Sequence, residues 1–279
     1  MKNSNNTILI RGSIAFDKRP MSFVQKTIPS IRKWFKGQLV VSTWKGQEQH
    51  LDGLEKEIDN IVLTDDPGPG FIQSYNRQLV SYQQGLKACS GELMLVSRAD
   101  FEILSDPFVY WNSIPQRNNG HFRVFQERVI AGNMMTVAPH RAEASVSNFR
   151  VSDWLQIGKK CDLQLWANVL ETSEKLYSEH TGLKNLSTSE YKTETYGSEQ
   201  VWLISLLHKH AMSSLNLGNY SEFSQYDAWS AMINNFWILN TRSTLQAHNL
   251  NWNEQPEFHP WYIREDEFQS AYHQIYGES

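Results

Sequence analysis

Cysteine is nearly absent from this chain, with two in 279 residues, Cys89 and Cys161. They lie far apart and match neither a CxxC pair nor a zinc-ligand spacing. That argues against a structural zinc site and a redox dithiol, and it predicts two free thiols in a reducing compartment. Long apolar runs are also missing. No window approaches the ~20 apolar residues of a membrane-spanning helix, and the opening "MKNSNNTILIRG" has no apolar core of a secretory signal. The expectation is a cytoplasmic protein. Excess positive charge is missing too: the formal net charge is −4, so no overall field draws in nucleic acid or an acidic lipid surface. Two phosphate fingerprints are absent. "RGSIAF", after the first apolar run, lacks the glycines of GxGxxG, which weakens a hydride-transfer dinucleotide site, and no GxxxxGK[ST] occurs anywhere. "PGPGF" reads as a rigid turn rather than a phosphate cradle, because proline carries no backbone donor.

What is present suits a soluble globular protein with a sizeable core. Hydrophobic residues make up 40% and charged residues 20%, and the length allows one large domain or a core domain with an added lobe. Ten tryptophans crowd the second half. Such rings pack on sugar faces, but for any single one a place in the core is the better reading.

The first hundred residues alternate regularly. "TILIRGSI" predicts a strand. "MSFVQKTIPSIRKWF" predicts a helix with Phe23, Ile28, Ile31 and Phe35 on one buried face, Pro29 marking either a kink or the true start. "QLVVSTW" and "NIVLTDD" predict two further strands. A long helix runs through "SYNRQLVSYQQGLKAC", and "ELMLVSRAD" opens as a strand buried on both faces. This succession predicts an α/β fold with a mostly parallel sheet covered by helices. In such sheets ligands bind outside the carboxyl ends of the strands. Those ends carry Arg11, Gly12 and Ser13; Ser42, Thr43 and Trp44; Thr64, Asp65 and Asp66; and Ser97, Arg98 and Asp100. Every end is polar or charged.

From about residue 106 the character changes to a mixed region. "DPFVYWNSI" predicts a short helix, "HFRVFQERVIAGNMMTVAP" two strands around "AGN", and "FRVSDWLQIG" another strand. "DLQLWANVLETSEKLYSEH" predicts one helix with Asp162 as N-cap. "HTGLKNLSTSEYKTETYG" predicts a polar loop or lid, and "SEQVWLISLLHKHAM" a buried helix capped by Ser198. The stretch from Tyr226 to Trp252 reads as mixed strand and helix. The organisation expected is a binding half over 1–105 and a second half over 106–279 of the same domain.

Several residues carry chemistry in this arrangement. Asp100, just after a central strand, suits a Mg²⁺ or Mn²⁺ ion held together with phosphates. Asp65 or Asp66 would bind a base or ribose at the neighbouring strand. Arg98 suits bidentate phosphate binding. Asn76 and Arg77, at a helix start beside the sheet edge, are placed to reach phosphate; an exposed helix arginine is the plain alternative for Arg77. His208 and His210, two apart in a helix, cannot share a face.

The stretches "ILIRGSI", "SIRKWFKGQLVVSTWKGQ", "DDPGPGF", "NRQLVSYQQGLKACSGELMLVSRAD", "FQERV", "VSDWLQIGKKCDLQLW" and "SEQVWLISLLHKH" occur in this order. Together they resemble the WavE-type lipopolysaccharide synthesis family of bacterial glycosyltransferases, over roughly residues 7 to 210. The resemblance implies a GT-A-like fold and a role in building surface polysaccharide: lipopolysaccharide core, O-antigen or capsule. It also implies a nucleotide-sugar donor, a glycan or lipid-linked glycan acceptor, and through that acceptor an association with the inner membrane. GT-A enzymes commonly carry Asp-x-Asp at the strand end that binds a metal and the donor diphosphate. Here the residues are Arg-Ala-Asp, so Arg98 stands in place of the first acid and only Asp100 remains. Either Asp100 holds the cation with phosphates, water and a late ligand such as His259, or Arg98 supplies the positive charge itself. Arg11, Gly12, Ser42, Thr43, Asp65, Asn76, Arg77, Arg98 and Asp100 make up the expected donor set. For an inverting transfer, Glu199 at the start of a buried helix is the leading general base, with Asp153 second. An acid in a first helical turn also stabilises the helix dipole with no catalytic role. The competing readings are a sugar-phosphate nucleotidyltransferase, for which "RGSIAFDKR" is a poor strand-one loop, and a non-catalytic carbohydrate-binding subunit of a polysaccharide assembly complex.

Overall fold

The computed structural model describes residues 5–14, 23–68, 74–116, 120–139, 149–182, 197–250 and 262–277. Four strands from the first half set the frame: β1 (Asn6–Arg11), β2 (Gln38–Trp44), β3 (Asn60–Thr64) and β4 (Leu93–Arg98). All pair in parallel, in the spatial order β3-β2-β1-β4. Ile8, Leu9, Ile10, Val40, Val41, Leu95 and Val96 are buried throughout, as parallel strands covered on both faces require. The register sets Arg11 opposite Ser42 on one side and Arg98 on the other, so β1 and β4 stop at one level and β2 runs two residues further, to Trp44.

The sheet continues into the second half with β6 (Val129–Gly132), β7 (Leu155–Lys159) and β8 (Phe236–Leu239), giving the seven-stranded order β3-β2-β1-β4-β7-β6-β8. β7 runs antiparallel to both β4 and β6, and β8 is parallel to β6. The predicted α/β class with a mostly parallel, helix-flanked sheet holds. A separate antiparallel pair, β5 (Phe101–Ile103) with β9 (Ala247–Asn249), begins one residue past Asp100.

Helices cover the faces: α1 (Val24–Arg32), α2 (Tyr75–Ala88), α3 (Lys160–Ala167), α4 (Leu170–Thr181), α5 (Ser198–His210), α6 (Gln225–Asn235) and α7 (Glu265–Tyr276). Pro29 lies inside α1 and is not its start. α5 is buried from Ser198 through Leu207, and its Trp202 stacks on Trp166 with ring centroids 5.1 Å apart. These tryptophans serve the core, as the composition suggested. Cys89 is buried and Cys161 exposed, both as free thiols. No helix among the described residues is long and apolar enough to cross a membrane.

The second half departs from expectation where distant side chains take over backbone groups. The strand expected before "AGN" begins only at Val129 and runs through the expected turn as β6, so residues 121–128 form no strand. The amides of Val124 and Phe125 donate instead to Asn235 Oδ1 (2.7 and 3.1 Å), and those of Gln126 and Glu127 to the two oxygens of Asp162 (2.7 and 3.1 Å). With their donors satisfied, these residues need no ladder partner. Asp162 is therefore not an N-cap. It lies in the first turn of α3, and burial raises its carboxyl above the usual range against the pull of those amides. After β6, Asn133 turns the chain by accepting from Thr241 N (3.0 Å), and only the single bridge Val137–Tyr262 follows. The single helix expected from Asp162 onward is two, α3 and α4. At the break, Gln83 donates to the Ala167 carbonyl (2.8 Å), Lys209 to that of Asn168 (2.7 Å) and Trp202 to that of Trp166 (2.5 Å). Gly197 rather than Ser198 is the N-cap of α5. Of the lid expected over 180–197, His180 and Thr181 end α4 and Gly197 caps α5, and 183–196 lie outside the described residues.

Gly85 of α2 packs on the sheet. A Cβ there would meet Leu9 Cδ1 at 2.5 Å and Ser42 Cβ at 3.0 Å. In an exposed helix, Gly→Ala stabilises by about 1 kcal/mol; overpacking a filled core costs about 1–3 kcal/mol. Gly85→Ala should therefore lower the urea midpoint with an unchanged slope. A raised midpoint would show that the α2–sheet contact is looser than described.

Candidate functional site

A cleft of roughly 350 Å³ opens at the carboxyl ends of β1, β2 and β4. Its wall is made by Gly12 and Ser13 after β1, Trp44 and Gln47 after β2, Asp66 after β3, Ser74, Arg77 and Gln78 at the start of α2, and Arg98 to Asp100 after β4. Arg11 forms part of its floor. This is the sheet edge at which the sequence placed a site. The cleft is built from arginine–carboxylate pairs, differing in depth.

The deepest pair is Arg11 with Asp153. Arg11 Nη2 donates to Asp153 Oδ2 at 2.5 Å and to the Asp153 carbonyl at 2.6 Å, and the guanidinium lies 4.9 Å from the Tyr82 ring centroid. Both side chains are buried, Asp153 at 0% exposure. In this structure Asp153 is the counter-ion of Arg11, which counts against the role of base expected of it. By the same geometry the Arg11 guanidinium is spent on structure rather than on a donor.

The next pair is the Arg-Ala-Asp strand end itself. Arg98 Nε and Nη2 donate to the two oxygens of Asp100 (3.1 and 2.9 Å), and the guanidinium stacks 4.6 Å from the Trp154 ring centroid. Asp100 is buried, while Arg98 keeps 23% of its side chain exposed. Burial disfavours the charge on Arg98, but the carboxylates of Asp100, Asp153 and Glu199 together outweigh it and raise its pKa.

The outermost pair spans the mouth. Arg77 Nε and Nη2 donate to Asp66 Oδ1 and Oδ2 at 2.7 and 2.6 Å, with Arg77 39% and Asp66 40% exposed. Asp66 also accepts from Gly68 N (2.9 Å). The hydrogen bond from Arg77, aided by that amide and opposed by partial burial, holds the Asp66 carboxyl below the usual carboxylate range.

The remaining expected residues are distributed unevenly. Gly12 lines the cleft at φ +93°, a left-handed conformation that favours glycine. Asp65 points away, 87% exposed and paired with Lys45 at 2.9 Å; its neighbour Asp66 takes the cleft position. Ser42 and Thr43 are buried, Thr43 Oγ1 donating to Gln47 Oε1 (2.7 Å), and the cleft residue of that strand is Trp44. Asn76 follows Tyr75 in the first turn of α2 without lining the cleft. Glu199 is buried in the first turn of α5, its Oε2 3.2 Å from Arg150 Nη2. Trp44 had a signal in "STWKG". Gln47 and Gln78 had none, since a turn glutamine and a helix glutamine stand out in no pattern.

The resemblance implied a divalent cation at Asp100. Among the described residues no three of His, Cys, Asp and Glu come together as ligands, and both Asp100 oxygens are given to Arg98. A doubly charged ion about 4 Å from that guanidinium, at an effective dielectric of about 20, would be repelled by about 8 kcal/mol. The residues present do not fit a cation at Asp100. His259, the expected late ligand, lies outside the described residues.

Fold and cleft define an α/β protein with an arginine-lined cleft at the carboxyl edge of its parallel strands. The chain belongs to the WavE lipopolysaccharide synthesis family, whose model matches residues 6–247. That membership gives it a role in lipopolysaccharide synthesis. Comparison with curated proteins found no match. Among solved structures, HddC from Yersinia pseudotuberculosis complexed with GMP-PN is similar at 8% identity and a TM-score of 0.34, over 57% of this chain and 79% of that one. A likeness at this level says nothing of the site.

Two outcomes follow from the pairs. Asp153→Ala leaves a buried guanidinium without its acid and should cost about 3–5 kcal/mol of stability by denaturant unfolding; a loss below 1 kcal/mol would mean Arg11 is not committed to Asp153. For Asp66, the folded pKa lies below the unfolded value. Its contribution is complete above the unfolded value and is lost as pH falls through the depressed one. Because the pair is two-fifths exposed, it is worth at most about 1 kcal/mol. NMR titration of the Asp66 carboxyl should show the depressed midpoint, and Arg77→Gln should return it to the ordinary range.

Proposed function

We propose that this protein is a glycosyltransferase that takes a sugar from a nucleotide-sugar donor and adds it to a glycan of the lipopolysaccharide. The observation that carries this reading is the cleft at the carboxyl edge of β1, β2 and β4, whose lining includes Arg77, Arg98 and Trp44. A donor would lie with its base or ribose near Trp44 and Asp66 and its diphosphate toward Arg77 and Arg98. Guanidiniums bind phosphate oxygens bidentately, and an aromatic face suits a base. The parallel first half followed by the single reversed strand β7 supports a GT-A-like arrangement, with residues after 106 forming the acceptor side. The acceptor would be a glycan or lipid-linked glycan brought to the inner membrane face.

In the transfer, the bond between the anomeric carbon and the diphosphate oxygen breaks as the acceptor hydroxyl oxygen bonds to that carbon. The hydroxyl proton passes to a base, and the nucleoside diphosphate leaves with the electron pair. Arginines aimed at the diphosphate stabilise the charge it gathers. Glu199 is the acid assigned to the proton. Glu199 is buried too, but its partner Arg150 keeps 16% of its side chain exposed, whereas Arg11, the partner of Asp153, keeps 1%.

The test is product formation from a panel of nucleotide sugars with a lipopolysaccharide-core acceptor, read as released nucleoside diphosphate and extended glycan. Glu199→Gln should lower kcat by about 10²–10⁴-fold with donor KM little changed. Asp100→Asn, which weakens the fork holding Arg98, should raise donor KM. Transfer left unchanged by both substitutions, or no transfer with any donor, would overturn the reading.

A further inference from the structure

We infer that the cleft binds the diphosphate of its donor without a divalent cation, using Arg77 and Arg98, and that Asp66 is an internal stand-in which the diphosphate displaces. This rests on the nucleotide-sugar reading above and adds how the charge is met.

The two forks look alike but differ in what holds the acid. A carboxylate in a side-on fork presents two oxygens at the spacing at which a phosphate presents two of its own. Asp66 thus occupies a phosphate-shaped position on Arg77. It is two-fifths exposed, so it can leave the guanidinium and be hydrated at once. It stands on the loop after β3, and among the described residues its side chain is tied only to Gly68 N and Arg77. Asp100 has no such freedom. It is buried, and releasing Arg98 would strand its charge in the interior, where an unpaired ion is costly. Its backbone is pinned as well, the carbonyl accepting from Leu250 N at 2.7 Å. Arg98 therefore keeps its acid and offers a ligand what the fork leaves unused, its Nη1 amine on a side chain that lines the cleft.

The charges complete the case. Around the cleft, Arg11, Arg77 and Arg98 face Asp66, Asp100 and the buried Asp153. With Asp66 in place the set is neutral, and nothing attracts an anion strongly. When a diphosphate takes Arg77, the freed carboxylate turns to solvent and the cleft gains the positive charge that an Asp-x-Asp site obtains from its metal. A cation has no corresponding place, because both Asp100 oxygens are occupied by a permanent positive charge.

The experiment is isothermal titration of the full chain with UDP, GDP, ADP and inorganic pyrophosphate, each in EDTA and in Mn²⁺ or Mg²⁺. At least one nucleoside diphosphate should bind in EDTA with the Kd it shows in Mn²⁺. Arg77→Gln should weaken that binding by about 10- to 100-fold, the loss of one charged hydrogen-bonding partner. Asp66→Asn should tighten it, since the internal competitor is removed. Both substitutions fall on a half-exposed pair, and circular dichroism with a thermal melt confirms that each variant is folded. Binding that requires the cation overturns the inference and leaves the nucleotide reading standing. Binding in EDTA that neither substitution alters overturns the roles given to Arg77 and Asp66. No binding of any probe in either condition overturns both the inference and the reading beneath it.

Discussion

The buried pair of Arg11 and Asp153 is the constraint around which this edge of the molecule is arranged. It ties the last residue of β1 to the segment entering β7, 142 residues later, across the intervening strand β4. Burying two charges is costly, and the pair repays it only with close geometry and extra hydrogen bonds. The backbone carbonyl of Asp153 accepts one further hydrogen bond, and the rings of Tyr82 and Trp202 add cation–π contacts to the guanidinium. The next residue inherits the placement. Trp154 accepts the Arg98 amide on its carbonyl (3.0 Å) and lays its ring against the Arg98 guanidinium. One Asp-Trp dipeptide thus fixes two arginines at neighbouring strand ends.

From that anchor the acids and arginines form a graded series. Arg11–Asp153 is sealed, Arg98–Asp100 opens on one side, and Arg77–Asp66 faces solvent. The gradient separates two jobs that share one chemistry. A pair that must hold strands together is useful only if water and ions cannot compete for it. A pair that must exchange its partner for a ligand is useful only if they can.

The first half of the fold was legible because four apolar strands and an amphipathic helix each carry their own periodic signal. The sheet edge was legible for the same reason: a parallel sheet fixes where its carboxyl ends lie. Side-chain direction was not. Asp65 and Asp66 differ by one position, and one step past a strand reverses the side a residue faces. Ser42 and Thr43 were read as site residues because polar groups at a strand end suggest one, yet both are covered and only Trp44 reaches the cleft. The partner of Arg11 was not legible because it lies 142 residues along the chain, and a single sequence holds no trace of that pairing. In the second half the same limit governs whole elements. The break between α3 and α4 exists because Gln83, Trp202 and Lys209 claim three consecutive carbonyls. The strand expected from 121 starts only at Val129 because Asn235 and Asp162 claim the four amides of residues 124–127.

Arg98 shows why a strand end can keep one acid of a two-acid pattern. With two carboxylates, a strand end repels itself until a cation joins them. With an arginine in the first position, the remaining acid is neutralised from within, and its two oxygens set the orientation of the guanidinium. Asp100 then acts through Arg98 rather than on a ligand, which accounts for an acid both central to the cleft and closed to it. The cost is adaptability: a metal ion arrives and departs with its ligands, whereas Arg98 is always charged and always in place. Such a site cannot be switched off by removing an ion. Any control over its charge must come from a mobile anion of its own, and around this cleft Asp66 is the carboxylate both paired to an arginine and open to water.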